Sequence, residues 1–211
     1  LETTGLSCRY DHIIEFGAVK MHNQTEIGRL QLFIKPPVEI DSFIADKTNI
    51  TNETVKDAEP IEKSIDKILD FISDSVLVAH NATFDFSFLN ETLRKLNREK
   101  LKNPVIDTLD LARAILKDRK TYKLGAIARS YHITYDEEVA HRADYDAEVL
   151  NHVFTCMIRD CKNLGAKTIR DLQNLQDEEA FKKVYKHHTT ILCKNQQGLK
   201  DLFNLISLSH T

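Results

Sequence analysis

Two β-rich runs near the start of this sequence limit the folds that it can adopt. The runs IIEFGAVKMHN (residues 13–23) and EIGRLQLFIKPP (residues 26–37) flank a polar turn at residues 23–25. Such a pair predicts an antiparallel hairpin, and the two prolines at its end stop the second strand. After the hairpin, helical patterns alternate with short apolar runs. This order predicts an α/β fold in which helices flank a sheet of mixed strand direction.

The alternating part of the sequence carries start and stop signals for its elements. Thr51 or Asn52 is placed to cap one helix, and Pro60 to begin the next. The continuous apolar run at residues 75–80 predicts a buried strand. Four further elements are expected, in this order: a long helix over about residues 83–100, a short strand followed by a helix that Asp107 caps, a helix within residues 123–133, and a helix over residues 143–160.

The sequence becomes more polar after residue 162, and residues 163–185 resemble a linker more than a core. Within residues 186–211, HTTILCKN predicts a strand and QGLKDLFNLISLSH predicts an amphipathic helix. One strand and one helix cannot bury their apolar faces alone, so this tail is expected to be a small strand–helix fragment of a second domain. We therefore predict a main domain at residues 1–162, a linker at 163–185 and a fragment at 186–211.

Composition narrows the kinds of function that the chain can have. The formal net charge of −3 argues against a module that grips duplex DNA by its backbone, because such affinity comes from neutralising phosphates. If the chain handles nucleic acid, it should hold a short piece, with metal ions supplying positive charge. The chain has no run of about 18 apolar residues that could span a membrane. Its four cysteines show no CxxC pairing, which favours reduced thiols in a cytoplasmic protein.

The segment AHNATFDFSFL (residues 79–89) places Asp85 among Phe84, Phe86 and Phe88, early in a predicted helix. An acid among aromatic side chains is costly to bury unless it is paired or binds a cation. Two interpretations stay open, since Asp85 either binds a cation or stabilises the helix N-terminus through the helix dipole. Asn81 is likewise either a helix cap or an amide that faces a ligand.

The segment HRADYDAEVL (residues 141–150) places His141 five positions before Asp146. If a loop carries the histidine and a helix begins near Asp144, both side chains can point at one spot beyond the helix N-terminus. That end of a helix favours anions and metal-bound phosphate. A metal-binding Asp beside a His is what a water-activating site needs. The alternative is a capping Asp and a surface His.

The motifs ETTGLS, IIEFGAV, LVAHNATFDFSFL, VIDTLDLAR and HRADYDAE stand in this order along the chain. From residue 1 to about 160 the series resembles the DnaQ-like family of 3′–5′ exonucleases with the DEDDh arrangement. The resemblance implies a ribonuclease H-like (RNase H-like) fold and four carboxylates that hold two divalent metal ions, Mg²⁺ or Mn²⁺. It matches Glu2, Asp85 and Asp146 to metal ligands and His141 to the general base, so these four form the implied catalytic set.

The first motif of that family is Asp-x-Glu, in which Glu2 matches the glutamate and Leu1 the middle residue. The partner Asp would stand immediately before Leu1 and is absent from this sequence. We therefore expect the polypeptide to extend upstream, with a strand that carries this Asp.

The resemblance also implies seven substrate-binding residues, which are Thr3, Thr4, Gly5, Leu6, His80, Asn81 and Phe84. For Phe84 a place in the core is the favoured alternative. Asp107 is interpreted as a helix cap. Glu15, in the IIEFGAV motif, is interpreted as structural, with a position facing the site left open.

The tail KHHTTILCKNQQGLKDLFNLISLSHT resembles the PolC-type family of bacterial DNA polymerases III, where the PHP domain resumes after the inserted exonuclease. AHNATFDFSFLN and NPVIDTLDLAR resemble the same family. This resemblance implies a proofreading exonuclease (a hydrolase within a DNA-directed DNA polymerase) that acts on single-stranded or frayed 3′ DNA ends during DNA replication. The implied partners are the polymerase and PHP domains of the same parent chain and other replisome components. No metal is assigned to the tail.

Two other functions stay open at this point. One is a DEDDh exoribonuclease similar to RNase T or oligoribonuclease. The other is a non-catalytic module that only binds 3′ ends, which the absent first Asp motivates.

Overall fold

The computed structural model describes residues 1–182, apart from residues 118 and 138. Strands β1 (Glu2–Thr3), β2 (Ile13–His22) and β3 (Thr25–Phe33) form an antiparallel sheet in the order β1-β2-β3. Strands β4 (Leu77–Ala79) and β5 (Val105–Asp107) form a parallel pair. Parallel and antiparallel pairing are both present, which confirms the predicted mixture of strand directions, although in the described residues they occur in two separate sheets instead of one.

The helices in the described part of the chain are α1 (Ser42–Thr48), α2 (Asn52–Val55), α3 (Ile61–Ile72), α4 (Ala82–Lys95), α5 (Thr108–Ile115), α6 (Leu124–Ser130), α7 (Ala143–Asn163) and α8 (Ile169–Lys182). None of these helices is long and apolar enough to cross a membrane.

The predicted hairpin is confirmed, and its turn explains the register of the two strands. Asn23 and Gln24 have φ values of 49° and 67°. Positive φ at both central residues is the geometry of a type I′ turn, whose twist matches that of the flanking strands. His22 then pairs with Thr25, and the ladder runs back to a pair between Glu15 and Phe33. The register fixes which β2 side chains face the helices.

Several predicted helix signals are confirmed, and one predicted boundary is wrong. Thr51 caps α2 through a capping box, and the side chain of Asp107 accepts a hydrogen bond from the backbone N–H of Leu109 at the start of α5. Helix α4 ends at Lys95 instead of near residue 100. Its end is set by Asn97, whose φ of 53° takes the chain out of the helical region.

Two helices were not predicted as separate elements. Helix α1 has seven residues, of which only Thr48 is buried, so it lacks the apolar stripe that sequence patterns detect. Helix α8 lies within residues 163–185, and its Leu172 and Leu175 pack against a core cluster. The division of the chain at residues 162 and 185 stays a prediction. The predicted fragment at residues 186–211 lies outside the described residues.

The first half of β2 contributes side chains to two apolar clusters. Ile13 and Phe16 pack in the cluster that contains residues of α3 and α4, and Ile14 packs with Ile40 and Ile50. The N-terminal end of α7 lies directly on β2. A Cβ atom at Gly17 would lie 2.2 Å from the carbonyl carbon of Ala143, so only glycine permits this approach.

Candidate metal and active site

Three side chains, from the two opposite ends of the exonuclease-like region, converge at the N-terminal end of α7. Glu2 lies on β1, His141 in the loop before α7, and Asp146 in the first turn of that helix. One carboxylate oxygen of Glu2, one ring nitrogen of His141 and one carboxylate oxygen of Asp146 all lie within 4.8 Å of one another. His141 has a φ of 65°, an uncommon backbone conformation for a non-glycine residue that also marks many functional sites.

Asp85, the fourth predicted ligand, lies beside this group. Its Oδ1 atom is 2.9 Å from the backbone nitrogen of Leu1, next to Glu2, and its side chain is about a quarter exposed at 23%. The Leu1 side chain packs in the same cluster as Phe84 and Phe88 of α4, which places the start of β1 against the first turns of α4. The structure therefore brings Glu2, His141 and Asp146 together, with Asp85 adjacent to them through Leu1.

The carboxylates of this group are electrostatically strained without a cation. Burial raises the pKa of Glu2 to about 7, reinforced by the charges of Asp146 and Glu15. Burial also raises the pKa of Asp146, against the opposing influence of His141 and of a hydrogen bond from Tyr135. Like charges that are held close and partly desolvated disfavour ionisation of both groups.

The donor set fits a divalent cation. Two carboxylates and an imidazole can present atoms to one point, and a cation there would offset the burial and the repulsion that raise the pKa of Glu2. Carboxylate oxygens suit hard ions such as Mg²⁺ and Mn²⁺. The first turn of α7 adds the positive end of its helix dipole, which favours bound anions such as phosphate.

This electrostatic arrangement predicts an unusual pH dependence of stability in the absence of metal. In a chelator, the stability of the chain relative to the Glu2→Gln variant should fall as pH rises from about 5 to about 7, because folded Glu2 titrates near 7 instead of 4.5. In that range the folded state binds more protons than the unfolded state, so raising the pH favours unfolding. Urea unfolding of both proteins across the range measures the effect. A stability difference that does not change with pH would contradict it.

In the loop after β1, most of the residues predicted to bind substrate make contacts within the loop itself. The Thr3 hydroxyl donates to the carbonyl of Gly5 (2.6 Å), and the Thr4 hydroxyl accepts from the backbone N–H of His12 (3.0 Å). A Cβ atom at Gly5 would lie 2.5 Å from the Asp11 carboxylate, so the glycine permits close approach of Asp11. Leu6 is 84% exposed at the tip of this loop. Among these four predicted residues, Leu6 is the one with a side chain free to contact a substrate.

His80 and Asn81 also have partners within the protein. The two ring nitrogens of His80 lie 3.0 Å from the hydroxyl of Thr108 and 2.8 Å from the carbonyl of Tyr122. Asn81 stands at the N-cap position of α4 with a φ of 67°, and its backbone N–H donates to the Asp107 carboxylate (3.0 Å), but its exposed side chain makes no capping hydrogen bond. The contacts of the His80 ring favour a structural role for that residue, whereas the exposed side chain of Asn81 stays a candidate for contact with a substrate.

Phe84 lies against the core, as the alternative interpretation of the sequence proposed. Its ring is 4.8 Å from that of Phe88, which is buried, and it packs against the same cluster. Asp107 connects the starts of α4 and α5, because its two carboxylate oxygens accept hydrogen bonds from the backbone N–H groups of Asn81, Ala82 and Leu109. One side chain thereby caps both α4, which carries Asp85, and α5.

Three residues near the site were not selected from the sequence. The Tyr135 hydroxyl lies 3.2 Å from Asp146 Oδ1 and donates to it. The Lys47 ammonium on α1 acts on the charge of Glu2. Arg142 pairs with the buried Glu15. Only Arg142 had a sequence signal, since an acid within the apolar run IIEFGAV requires a buried partner.

A polar cleft of about 380 Å³ opens beside His141. One wall is the end of α1 and the residues after it, including Lys47 and Asn49, and the other is the loop with Glu137 and Ala140. Of the three grouped residues, His141 lines this cleft. A second cleft of about 710 Å³ lies along α7, near His152, and contains none of the predicted site residues.

The fold and the carboxylate–imidazole group together describe an α/β domain with a site suited to divalent cations, and comparison with known proteins agrees. The family model described as Exonuclease matches residues 1–154. The chain is also 40% identical, over its whole length, to the DNA polymerase III PolC-type of Streptococcus sanguinis. The chain therefore belongs to the exonuclease family. The family predicted from the sequence motifs is confirmed, and divalent metal ions are implied at this site.

Solved structures with the same fold include two nucleases. Exonuclease X in complex with 5′ overhanging duplex DNA aligns with a TM-score of 0.64 at 22% identity, over 83% of this chain and 95% of that one. The nuclease domain of 3′hExo, a DEDDh family member bound to rAMP, aligns with a TM-score of 0.63 at 18% identity, over 71% of this chain and 82% of that one. At these identities the likeness concerns the fold, and it confirms the predicted RNase H-like α/β class.

The chain spans a small part of its polymerase relatives. It covers 14% of the length of the Streptococcus sanguinis protein and 15% of a second PolC-type relative. The match therefore concerns one region of a much longer polymerase.

Proposed function

We propose that this chain is the 3′–5′ proofreading exonuclease region of a PolC-type DNA polymerase III. It would remove 3′-terminal nucleotides from single-stranded or frayed DNA by hydrolysing the last phosphodiester bond. The observation that carries this proposal is the convergence of Glu2, His141 and Asp146 within 4.8 Å, in a chain of the exonuclease family.

The carboxylates are proposed to hold two divalent ions, Mg²⁺ or Mn²⁺. Glu2 and Asp146 would hold one ion and Asp85 the second, either directly or through water. When bound, such a pair of ions stabilises the attacking and leaving oxygens of a phosphoryl displacement. Tyr135 would keep the Asp146 carboxylate oriented through its hydrogen bond.

His141 is proposed as the general base. It would take a proton from the attacking water as the water oxygen bonds to phosphorus and the bond from phosphorus to the 3′ oxygen breaks. Its backbone is left-handed, and one of its ring nitrogens lies within 4.8 Å of a carboxylate oxygen of Glu2 and of Asp146. The polar cleft next to His141 would admit the water and the end of the strand.

The substrate is proposed to be a short single strand instead of a long duplex. The net charge of −3 disfavours extended phosphate binding, whereas exposed Leu6, on the loop that follows Glu2 and Thr3, can contact a terminal base. Mismatched ends fray more readily than paired ends, so part of the selectivity for errors would come from the DNA.

The partners of this region and its location in the cell are proposed from the polymerase relatives. The expected partners are the polymerase and PHP domains of the parent protein and other replisome components, in the cytoplasm. We further propose residues 1–162 as the exonuclease domain, 163–185 as a connecting segment and 186–211 as part of a PHP domain.

The substrate sugar distinguishes this proposal from a DEDDh exoribonuclease, which the rAMP-bound neighbour of the same fold makes the second candidate. The same 3′-labelled oligomer should be supplied as DNA and as RNA to the intact natural protein that contains this chain. We expect faster release of the terminal nucleotide from DNA, with dependence on a divalent ion.

Two outcomes of this comparison would count against the proposal. A preference for RNA by orders of magnitude would favour the exoribonuclease. Absence of release from either oligomer by folded, metal-loaded protein would favour a module that only binds 3′ ends.

A further inference from the structure

Glu15 on β2 is fully buried, and its carboxylate has partners on two other elements. It accepts hydrogen bonds from Nε2 of Gln31 (2.8 Å), from Nη2 of Arg142 (3.1 Å) and from the backbone N–H of Ala143 (2.9 Å). Burying a carboxylate is costly unless it is paired and hydrogen-bonded. The cost is met mainly by contacts to the start of α7, which is where His141 and Asp146 lie.

The bond to Ala143 makes Glu15 the cap of α7. Ala143 is the first residue of this helix, and the N-cap residue Arg142 makes no capping hydrogen bond with its own side chain. The first N–H groups of a helix need partners from outside it, and negative charge there is favoured by the helix dipole. Glu15 supplies both across the sheet, so the N-terminus of α7 is held by a strand instead of by its own loop.

Gly17 completes the contact between β2 and α7. Residues two apart on a strand share a face, so Glu15 and Gly17 face the same helix. A Cβ atom at Gly17 would lie 2.3 Å from the backbone nitrogen of Asp144, within the first turn of α7. The hydrogen bond from Ala143 to Glu15 and the close approach at Gly17 together fix the position of the first turn of α7 on β2.

The geometry also explains why Glu15 does not join the metal-binding group. Glu15 is directly opposite Glu2 in the pairing of β1 with β2, so both side chains lie on the same face of the sheet. Both carboxylate oxygens of Glu15 are nevertheless engaged, one by Arg142 and Gln31 and the other by Ala143. Arg142 balances its charge at this position beside the site.

We propose that Glu15 is a positioning residue for the nuclease site, which holds His141 and Asp146 in place through Arg142 and the N-terminus of α7. Neither side chain would keep its place relative to Glu2 if the start of α7 moved. The inference rests on the proposed function for the meaning of the site, but its effect on metal binding can be measured separately.

The test is the Glu15→Gln variant, which keeps the size of the side chain and removes its charge. All four quantities are measured on the intact natural protein: Mn²⁺ affinity and thermal midpoint by calorimetry, and kcat and KM with single-stranded DNA. We expect Mn²⁺ affinity and kcat each to fall about 10–100-fold, as for other groups that orient metal ligands, with KM for DNA unchanged.

Two matched variants separate positioning from loss of stability. Gln31→Met removes a donor to Glu15 without touching α7, and Ile68→Val loosens the core away from the site. Both are expected to bind Mn²⁺ as the wild type does. If Glu15→Gln lowers only the thermal midpoint, with Mn²⁺ affinity and kcat at wild-type values, Glu15 is merely structural and the proposal is wrong.

A second pair of variants decides the matter if Glu15→Gln does not fold. The double variant Glu15→Gln/Arg142→Met leaves no unpaired buried charge, and the same two outcomes apply to it. Gly17→Ala disturbs the same contact without any change of charge and should also weaken Mn²⁺ binding. Wild-type Mn²⁺ affinity in folded Gly17→Ala would overturn the proposal. Absence of nuclease activity in the wild type would instead reject the proposed function and leave the Mn²⁺ comparison valid.

Discussion

Asp146→Asn is expected to lower the rate of 3′-nucleotide release about 10³-fold. Metal ions at such sites contribute several kcal/mol of transition-state stabilisation, and each 1.36 kcal/mol is a factor of about ten in rate. The substitution keeps the shape of the side chain and its contact with Tyr135, but it removes the charge that would hold the ion. Release of a 3′ label from single-stranded DNA by the intact natural protein measures the effect.

Asp144→Asn is the matched control for this substitution. Asp144 lies in the same first turn of α7 and is not one of the three grouped residues, so the change of charge at the helix N-terminus is the same. We expect near wild-type release from the control. Because burial raises the pKa of Asp146, the neutral amide should not destabilise the metal-free fold. Equal loss of activity in both variants would show that only the charge of the helix terminus matters.

His141→Gln is expected to lower kcat roughly 10²–10⁴-fold, the range typical of losing a general base. Glutamine has no group that can accept a proton at neutral pH, whereas Glu2 and Asp146 stay in place to bind metal. Mn²⁺ affinity should therefore change much less than kcat. The two quantities are measured by calorimetry on the full chain and by single-turnover release of a 3′ label by the intact natural protein.

His152→Gln is the control for general effects of losing a histidine from this part of the chain. His152 lies on α7 beside the cleft that contains no predicted site residue. Its replacement should leave both quantities unchanged. If His141→Gln instead loses Mn²⁺ affinity in proportion to kcat, then His141 is a metal ligand and the assignment of a general base is wrong.

Much of the fold could be predicted because it depends on patterns among residues that are close together in the sequence. The hairpin follows from two β-rich runs and a polar turn between them, and the capping role of Asp107 follows from its place between a strand and a helix. The end of α4 could not be predicted, because the sequence continues with good helix formers while Asn97 adopts a left-handed conformation. Helix α1 escaped prediction because its stability comes from caps and neighbours instead of an apolar stripe.

The site shows the same division between local and distant contacts. His141 and Asp146 are close in sequence, so their convergence could be expected from one loop and one helical turn. The hydrogen bond from Tyr135 to Asp146 and the capping of α7 by Glu15 join residues that only the folded chain brings together. The hydroxyls of Thr3 and Thr4 and the ring of His80 have partners within the protein, which a motif alone does not reveal.

The central claim is that Glu2, Asp85, His141 and Asp146 form one metal-dependent nuclease site. The most direct measurement is release of a 3′ label from single-stranded DNA by the intact natural protein, first in chelator and then after Mn²⁺ is returned, for wild type beside Asp146→Asn. We predict no release in chelator, recovery in the wild type on return of Mn²⁺, and no recovery in the variant. Release that continues in chelator, or that returns equally in both proteins, would contradict the claim.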